Sequence, residues 1–107
     1  MKEIFESQYL FNQSAEMVGI TDTKKLLRYY CHHLNTELDE VQKADSEDSQ
    51  KEEISDIILY GVNMALGLGF APEEMESSIN DKITKNLARL VSNPDSFHPR
   101  KAYEEFK

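Results

Sequence analysis

The sequence predicts an all-α fold, a bundle of four main helices, and three observations support this prediction. Only four glycines and three prolines occur among 107 residues, so few positions interrupt regular structure. Apolar residues recur at steps of three and four, the period of an amphipathic helix. No segment alternates apolar and polar residues as a strand does. A chain of this length that is 39% apolar is expected to form one domain over 1–107.

The first two helices are predicted over about 3–18 and 23–44. The segment 19–22 separates them, because it contains a glycine that breaks the first helix and two residues that can cap the second. The apolar side of the first helix consists of Ile4, Phe11, Ala15 and Val18. The apolar stripe of the second consists of Leu26, Leu27, Tyr30, Cys31, Leu34, Leu38 and Val41.

The third helix is predicted over about 50–68 and the fourth over 72–91. The third is apolar on nearly every side, which is typical of a helix at the centre of a fold. Gly67 and Gly69 fit its C-terminal cap. Pro72 suits the first turn of the fourth helix, where its missing N–H is not needed. The apolar positions of the fourth helix are Met75, Ile79, Ile83, Leu87 and Leu90.

Composition excludes several classes of function. A net charge of −8 argues against binding to nucleic-acid polymers, which requires a basic surface. The most membrane-like run, 57–71, is shorter than the roughly 20 residues of a membrane span, and the N-terminus lacks the apolar core of a signal peptide. Cys31 is the only cysteine and is expected to be a buried small hydrophobe. Together these features predict a cytoplasmic protein.

Two acidic pairs with the same spacing lie on the second and third predicted helices. An antiparallel hairpin centred between positions 46 and 47 places Glu40 level with Glu53. The same centre places Glu37 level with Asp56. Four carboxylates with no lysine or arginine inside either pair need a cation to remain ionised together. Ligands that are all oxygen predict Mg²⁺, or Mn²⁺, rather than Zn²⁺.

The alternative is a solvated acidic edge of the hairpin. The same three-residue spacing occurs at Glu3 and Glu6, near the chain terminus. It also occurs at Glu73 and Glu76, in a first helical turn where carboxylates favour the helix dipole. These four side chains are expected to lie in water, so the spacing alone does not identify a metal site.

The fourth predicted helix carries the opposite charge. Lys82, Asn86 and Arg89 share one face, since they are separated by steps of four and three. Two cations and an amide suit phosphate oxygens. Helix surfaces also carry such residues without a ligand, so the pattern leaves both interpretations open.

Taken together, these residues resemble the MazG-like all-α nucleoside triphosphate pyrophosphohydrolases. The resemblance covers about 23–90 and includes the order of the four helices. Thr36 stands where many relatives carry an acid before the first motif glutamate. The matching segments are Glu37-x-x-Glu40 and Glu53-x-x-Asp56, similar to the family's metal-binding motif, and Lys82-x-x-x-Asn86-x-x-Arg89, similar to its phosphate-contact segment.

The resemblance implies an enzyme that cleaves a nucleoside or deoxynucleoside triphosphate to the monophosphate and pyrophosphate. It implies that the four motif acids hold Mg²⁺, that Lys82, Asn86 and Arg89 contact the substrate, and that catalysis involves Glu37, Glu40 and Lys82. Because the chain has no tryptophan, base stacking would fall to a phenylalanine or tyrosine. The candidates on the first helix are Phe5, Tyr9 and Phe11, for which core packing is the other interpretation.

Two other functions stay open at this point. One is a phosphoribosyl-ATP pyrophosphohydrolase, which shares the bundle. The other is a non-catalytic acidic helical module that binds a partner protein, and dependence on Mg²⁺ separates this module from either enzyme.

Assembly and the C-terminal tail complete the expectations. Because a chain this short has a limited interior, a homodimer or tetramer is expected to complete the fold. The tail, 92–107, carries aromatic and basic residues. It either closes over a bound triphosphate as a lid or packs permanently against the first helix or a neighbouring subunit.

Overall fold

The computed structural model describes all residues, Met1–Lys107, and confirms an all-α chain. It forms two compact units, Met1–Glu73 and Glu74–Lys107. No single helix is long and apolar enough to cross a membrane; only α3 and α4 counted together reach that length and hydropathy. The five helices are α1 (Lys2–Ser14), α2 (Thr23–Lys43), α3 (Glu47–Gly67), α4 (Pro72–Ser92) and α5 (Pro99–Glu105), of which α5 is a short helix within the predicted tail.

Helix α1 ends at Ser14, four residues before the predicted boundary, because the backbone reverses at Glu16. Glu16 adopts a left-handed conformation with φ of 60°. The N–H of Met17 then donates to the carbonyl of Asn12 at 2.7 Å. This arrangement is the Schellman motif, which usually uses glycine at the left-handed position. The prediction was wrong because it assigned the break to Gly19.

The buried side of α1 also differs from the prediction. Phe5 and Asn12 are buried, whereas Phe11 is 65% exposed and Ile4 is 48% exposed. The prediction considered only apolar residues. Asn12 lies inside because its amide nitrogen donates to the side-chain oxygen of Asn63 on α3, at 3.0 Å.

Helix α3 has well-defined caps at both ends. It begins three residues earlier than predicted, because the side chains of Ser46 and Ser49 form a reciprocal capping box. At its C-terminus Gly69 is left-handed with φ of 80°, and the N–H of Phe70 donates to the carbonyl of Ala65 at 2.9 Å. The predicted glycine cap is therefore confirmed.

Helix α3 is the central helix of the first unit, since it contacts both α2 and α1. A Cβ atom added at Gly67 would lie 2.6 Å from Leu26 Cδ2, so α2 and α3 approach closely there. Nearer the loop, the rings of His33 and Tyr60 are parallel, with centroids 6.4 Å apart. In both contacts, Leu26 with Gly67 and His33 with Tyr60, the midpoint of the two residue numbers lies between 46 and 47. The structure thus has the antiparallel register predicted from the acidic pairs.

Cys31 is exposed, so the prediction of a buried cysteine was wrong. It follows the buried Tyr30 by one position, which is about 100° around the helix axis. This rotation takes Cys31 out of the face of α2 that packs on α3.

Within the second unit, the start of the tail packs on α4. The guanidinium carbon of Arg89 lies 4.1 Å from the centroid of the Phe97 ring, a cation–π contact. The N–H of Phe97 also donates to the carbonyl of Asn93, at 3.0 Å. Of the two adjacent tail cations, Lys101 forms an exposed ion pair with Asp95 at 3.8 Å. The tail therefore contacts α4, which the sequence analysis did not consider.

Alanine at two glycines of α3 should change the free energy of unfolding in opposite directions. Gly67→Ala should lower it by about 1–3 kcal/mol, because the new methyl group collides with the buried Leu26 side chain. Gly61→Ala should raise it by about 0.5–1 kcal/mol, because its Cβ meets nothing within 4 Å and alanine favours the helix. Urea unfolding followed by circular dichroism measures both changes. Equal effects would contradict the close approach at Gly67.

Candidate metal centre and adjoining cavity

Three of the four predicted metal ligands converge between α2 and α3. One carboxylate oxygen from each of Glu37, Glu40 and Glu53 lies within 4.8 Å of the others. Asp56 is not part of this group, but its charge acts on Glu37 and both residues line the same cavity. We call Glu37, Glu40, Glu53 and Asp56 the carboxylate cluster.

Two oxygen atoms of the carboxylate cluster are buried without a partner. They are Oε2 of Glu37 and Oε2 of Glu53, and neither accepts a hydrogen bond. The ion pairs of the protein lie elsewhere, so no lysine or arginine neutralises these carboxylates. A buried carboxylate oxygen that lacks a partner is costly in free energy. The cluster therefore needs a proton or a cation.

Crowding raises the pKa values of two carboxyl groups in the cluster. The adjacent Glu37 carboxyl group, followed by desolvation and the nearby Glu40, raises the pKa of Glu53 to about 7. Burial raises the pKa of Glu37, and the charges of Glu40 and Asp56 act in the same direction. Without a cation, this pair of carboxyl groups therefore keeps a proton to a higher pH than an ordinary glutamate does.

The donor set fits a hard divalent cation. Every candidate ligand atom is a carboxylate oxygen, which suits Mg²⁺ or Mn²⁺ and not Zn²⁺. The two buried oxygen atoms are acceptors that a cation would satisfy. Glu40 is exposed, so the cluster is open to solvent on that side.

A cavity of about 500 Å³ adjoins the cluster, and Glu37 and Asp56 form part of its wall. This volume is in the range of small-molecule sites. The remaining wall combines aromatic rings with amides, which is the chemistry expected around a planar, hydrogen-bonding ligand. Its aromatic residues are Phe11, Tyr29, Tyr30 and Tyr60, and its amide residues are Gln8, Asn12 and Asn63.

No family model, curated protein or solved structure matches this chain. The similarity to MazG-like pyrophosphohydrolases therefore rests on the sequence motifs.

Of the three predicted stacking residues, only Phe11 lines this cavity. Phe5 is 3% exposed and belongs to the core, and Tyr9 lines other grooves. Sequence reasoning missed Tyr30 and Tyr60, whose ring centroids are 6.2 Å apart. The available signal was their position in the sequence. Tyr30 lies seven residues before Glu37 on α2, and Tyr60 lies seven residues after Glu53 on α3, so each ring is on the same helix face as a carboxylate.

The hydroxyls of Tyr30 and Tyr60 remain protonated. Burial raises the pKa of Tyr30 above its ordinary value. Burial also raises the pKa of Tyr60, and the charge of Glu37 adds to this effect. Both phenols are therefore hydrogen-bond donors over the physiological pH range.

The comparison acids lie in water, as predicted. Glu3, Glu6, Glu73 and Glu76 are all exposed, and Glu6 forms an exposed pair with Lys2 at 4.0 Å. Equal spacing thus gives different environments, because only the α2 and α3 pairs face a neighbouring helix.

The predicted phosphate contacts lie on one face of α4, in the second unit. Lys82 is exposed and lines a shallow depression with Asp81 and Lys85. Asn86 is half-buried. Arg89 is exposed, and its guanidinium carbon lies over the ring of Phe97.

Without divalent cations, the protein should lose thermal stability as the pH rises from about 5 to 8. The folded state holds a proton at Glu53 up to about pH 7, whereas the unfolded carboxyl releases it near 4.5. Stability from this group is therefore fully present below 4.5 and is lost through pH 7. Glu53→Gln should flatten the slope, because an amide does not titrate. Melting temperatures in EDTA measure both slopes.

Glu73→Gln is the matched control for that experiment, since Glu73 is exposed. It should keep the slope of the unmodified protein. If Glu53→Gln also keeps that slope, the proton held by the carboxyl pair is contradicted.

Proposed function

We propose that the protein is a Mg²⁺-dependent nucleotide pyrophosphohydrolase of the MazG-like type. Its substrate is a nucleoside or deoxynucleoside triphosphate, and its products are the monophosphate and pyrophosphate. The observation that supports this most is the carboxylate cluster, in which two buried oxygen atoms lack partners beside a cavity of about 500 Å³. A nucleoside triphosphate needs cation ligands near its phosphates and a ring-lined cavity for its base.

Within this proposal, the four residues of the carboxylate cluster hold the metal. Mg²⁺, when bound, lowers the pKa of a water ligand and offsets the negative charge of the phosphates. In the reaction a water oxygen forms a bond to the α-phosphorus, and the bond from that phosphorus to the bridging oxygen breaks. Glu37 and Glu53 are half-buried, so Glu40 is the glutamate of this group that is most accessible to an arriving substrate.

The positive residues of α4 are proposed to act on the phosphates. Lys82 and Arg89 would offset charge on the leaving pyrophosphate, and Asn86 would orient a phosphate or ribose oxygen. Residue type and spacing along α4 support these roles. The guanidinium carbon of Arg89 lies over the Phe97 ring, and Arg89 is in none of the ion pairs of the protein.

We also propose that the protein forms a homodimer or tetramer. Only five apolar side chains are buried in the single chain, and α4 has no buried residue. Along α4, Ile79, Ile83 and Leu87 are 41%, 53% and 59% exposed. A stripe of large apolar side chains in water is unfavourable and typical of an interface.

Pyrophosphate release from a panel of ribo- and deoxyribonucleoside triphosphates, together with phosphoribosyl-ATP, tests the activity. We expect release with Mg²⁺ from at least one triphosphate, and none in EDTA, because the carboxylates cannot hold a polyphosphate without a cation. Release from none of them would favour the protein-binding module. Release from phosphoribosyl-ATP alone would favour the alternative enzyme.

Glu53→Gln should lower kcat/KM by more than the roughly 10- to 100-fold loss typical of an outer-shell partner, because it removes a direct ligand. The far-ultraviolet circular dichroism spectrum should stay the same. Glu73→Gln and Glu76→Gln are matched controls, with the same chemical change at exposed positions, and should keep full activity. Equal losses at Glu53 and Glu73 would refute the site.

Light scattering at micromolar concentration should give the mass of a dimer or tetramer. Ile83→Glu should shift this mass toward the monomer, because it places a charge in the apolar stripe of α4. Asn80→Glu, at an exposed polar position of the same helix, is the control and should leave the assembly unchanged. A monomer for the unmodified protein would count against the proposal.

A further inference from the structure

Three amide side chains meet beside the cavity and fix one another's orientation. Gln8 Nε2 donates to Asn12 Oδ1 at 3.1 Å and to Asn63 Oδ1 at 3.0 Å. Asn12 Nδ2 donates to the same oxygen of Asn63, at 3.0 Å. Asn12 is only 5% exposed, so it is a buried support for the other two. We call Gln8, Asn12 and Asn63 the amide cluster.

These hydrogen bonds leave a defined pair of groups unused. Both N–H groups of Gln8 are donated, and Asn63 Oδ1 accepts twice, which fills its two lone pairs. A flip of the Asn63 amide alone would set its N–H groups against two donors, so the orientations of the three amides are coupled to one another. The groups left without a protein partner are Asn63 Nδ2 and Gln8 Oε1. Neither is among the buried unpaired atoms, so both are accessible.

We propose that the amide cluster recognises the nucleobase of the substrate. Asn63 Nδ2 donates to, and Gln8 Oε1 accepts from, the Watson–Crick edge of the base, while the tyrosine rings contact its face. The inference rests on the proposed function, since it assigns the phosphates and the base of a nucleotide to Asp56 and Asn63, two positions of α3 that line the cavity. Asp56 and Asn63 are seven residues apart, about 10 Å along that helix, and a sugar spans the gap between base and phosphates.

An amide donor and an amide acceptor held in place make the protein selective among bases. A base that offers an acceptor beside a donor in the matching order satisfies both groups. A base that offers them in another order leaves a desolvated polar group unpaired, which is strongly disfavoured. The expected substrate class is therefore one base or a pair of related bases rather than all nucleoside triphosphates.

The first experiment uses uncharged ligands and the unmodified protein in EDTA. Adenosine, cytidine, guanosine and uridine are titrated to millimolar concentration while NMR follows the side-chain amide signals of Asn63 and Gln8. We expect one or two nucleosides to shift these signals. Their edge-methylated analogues should bind at least about tenfold weaker, because the ring face is kept and the edge donor is lost. The analogues are N6,N6-dimethyladenosine, N4,N4-dimethylcytidine, 1-methylguanosine and 3-methyluridine.

The result that would overturn the proposal is equally direct. If no nucleoside shifts the amide signals, or if the methylated analogues bind as well as their parents, the amide cluster does not read a base edge.

The second experiment inverts one half of the hydrogen-bonding pattern. Asn63→Asp keeps an inward oxygen for Gln8 and Asn12 but replaces the outward donor with an acceptor. The preferred nucleoside should bind roughly 10- to 100-fold weaker, the effect of one unpaired polar group. Guanosine should gain affinity relative to the other nucleosides, because its Watson–Crick edge offers two adjacent donors. Asn35→Asp, an equal charge change at an exposed position of α2, is the control and should bind as the unmodified protein does.

A folded Asn63→Asp protein with unchanged base preference would overturn the proposal. If this variant does not fold, the methylated nucleosides decide the question on the unmodified protein.

The base site and the hydrolase fail in different ways. Pyrophosphate release at equal rates from every base, without nucleoside binding, would refute the base site and leave the hydrolase standing. Selective nucleoside binding without pyrophosphate release from any triphosphate would support the base site and refute the hydrolase.

Discussion

The register of α2 against α3 is the constraint on which the rest of the first unit depends. The close approach at Gly67 and Leu26 fixes one end of the hairpin, and the capping box of Ser46 and Ser49 fixes the other. Between these points Glu37 and Glu53 lie on facing positions of the two helices, so like charges are brought together by packing that does not involve them. Such a local conflict, maintained by the surrounding structure, is typical of functional sites.

Helix α3 contributes residues to both the carboxylate cluster and the amide cluster. Asp56, Tyr60 and Asn63 follow one another along α3 at steps of four and three, and all three line the cavity. Helix α1 closes the far side, because the amide of Asn12 is buried against Asn63. One straight helix face therefore sets the distance between a charged end and a neutral end. A change in the register of α3 would displace both ends together.

The hairpin could be predicted from the sequence because its evidence is local and symmetric. Two acidic pairs with a common centre define the register, and Ser46 caps α3 at the end of a short loop. The face of α1 could not be predicted in this way, because Asn12 is buried only through a partner 51 residues away. The left-handed Glu16 was equally hidden, since glycine is the usual signal for that conformation. Patterns of apolar residues detect burial by hydrophobicity and miss burial by hydrogen bonding.

Charge gives the two ends of the cavity different dependence on solution conditions. A chain of net charge −8 repels a bare triphosphate, and the carboxylate cluster repels it most at short range. Under the proposed function, a divalent cation is therefore required for the phosphates to bind, before any question of reaction. At the amide end the groups are neutral, and their hydrogen bonds do not depend on metal or on pH near neutrality. Under the proposed function, the cation thus decides whether a nucleotide is held, and the orientation of Asn63 and Gln8 decides which one.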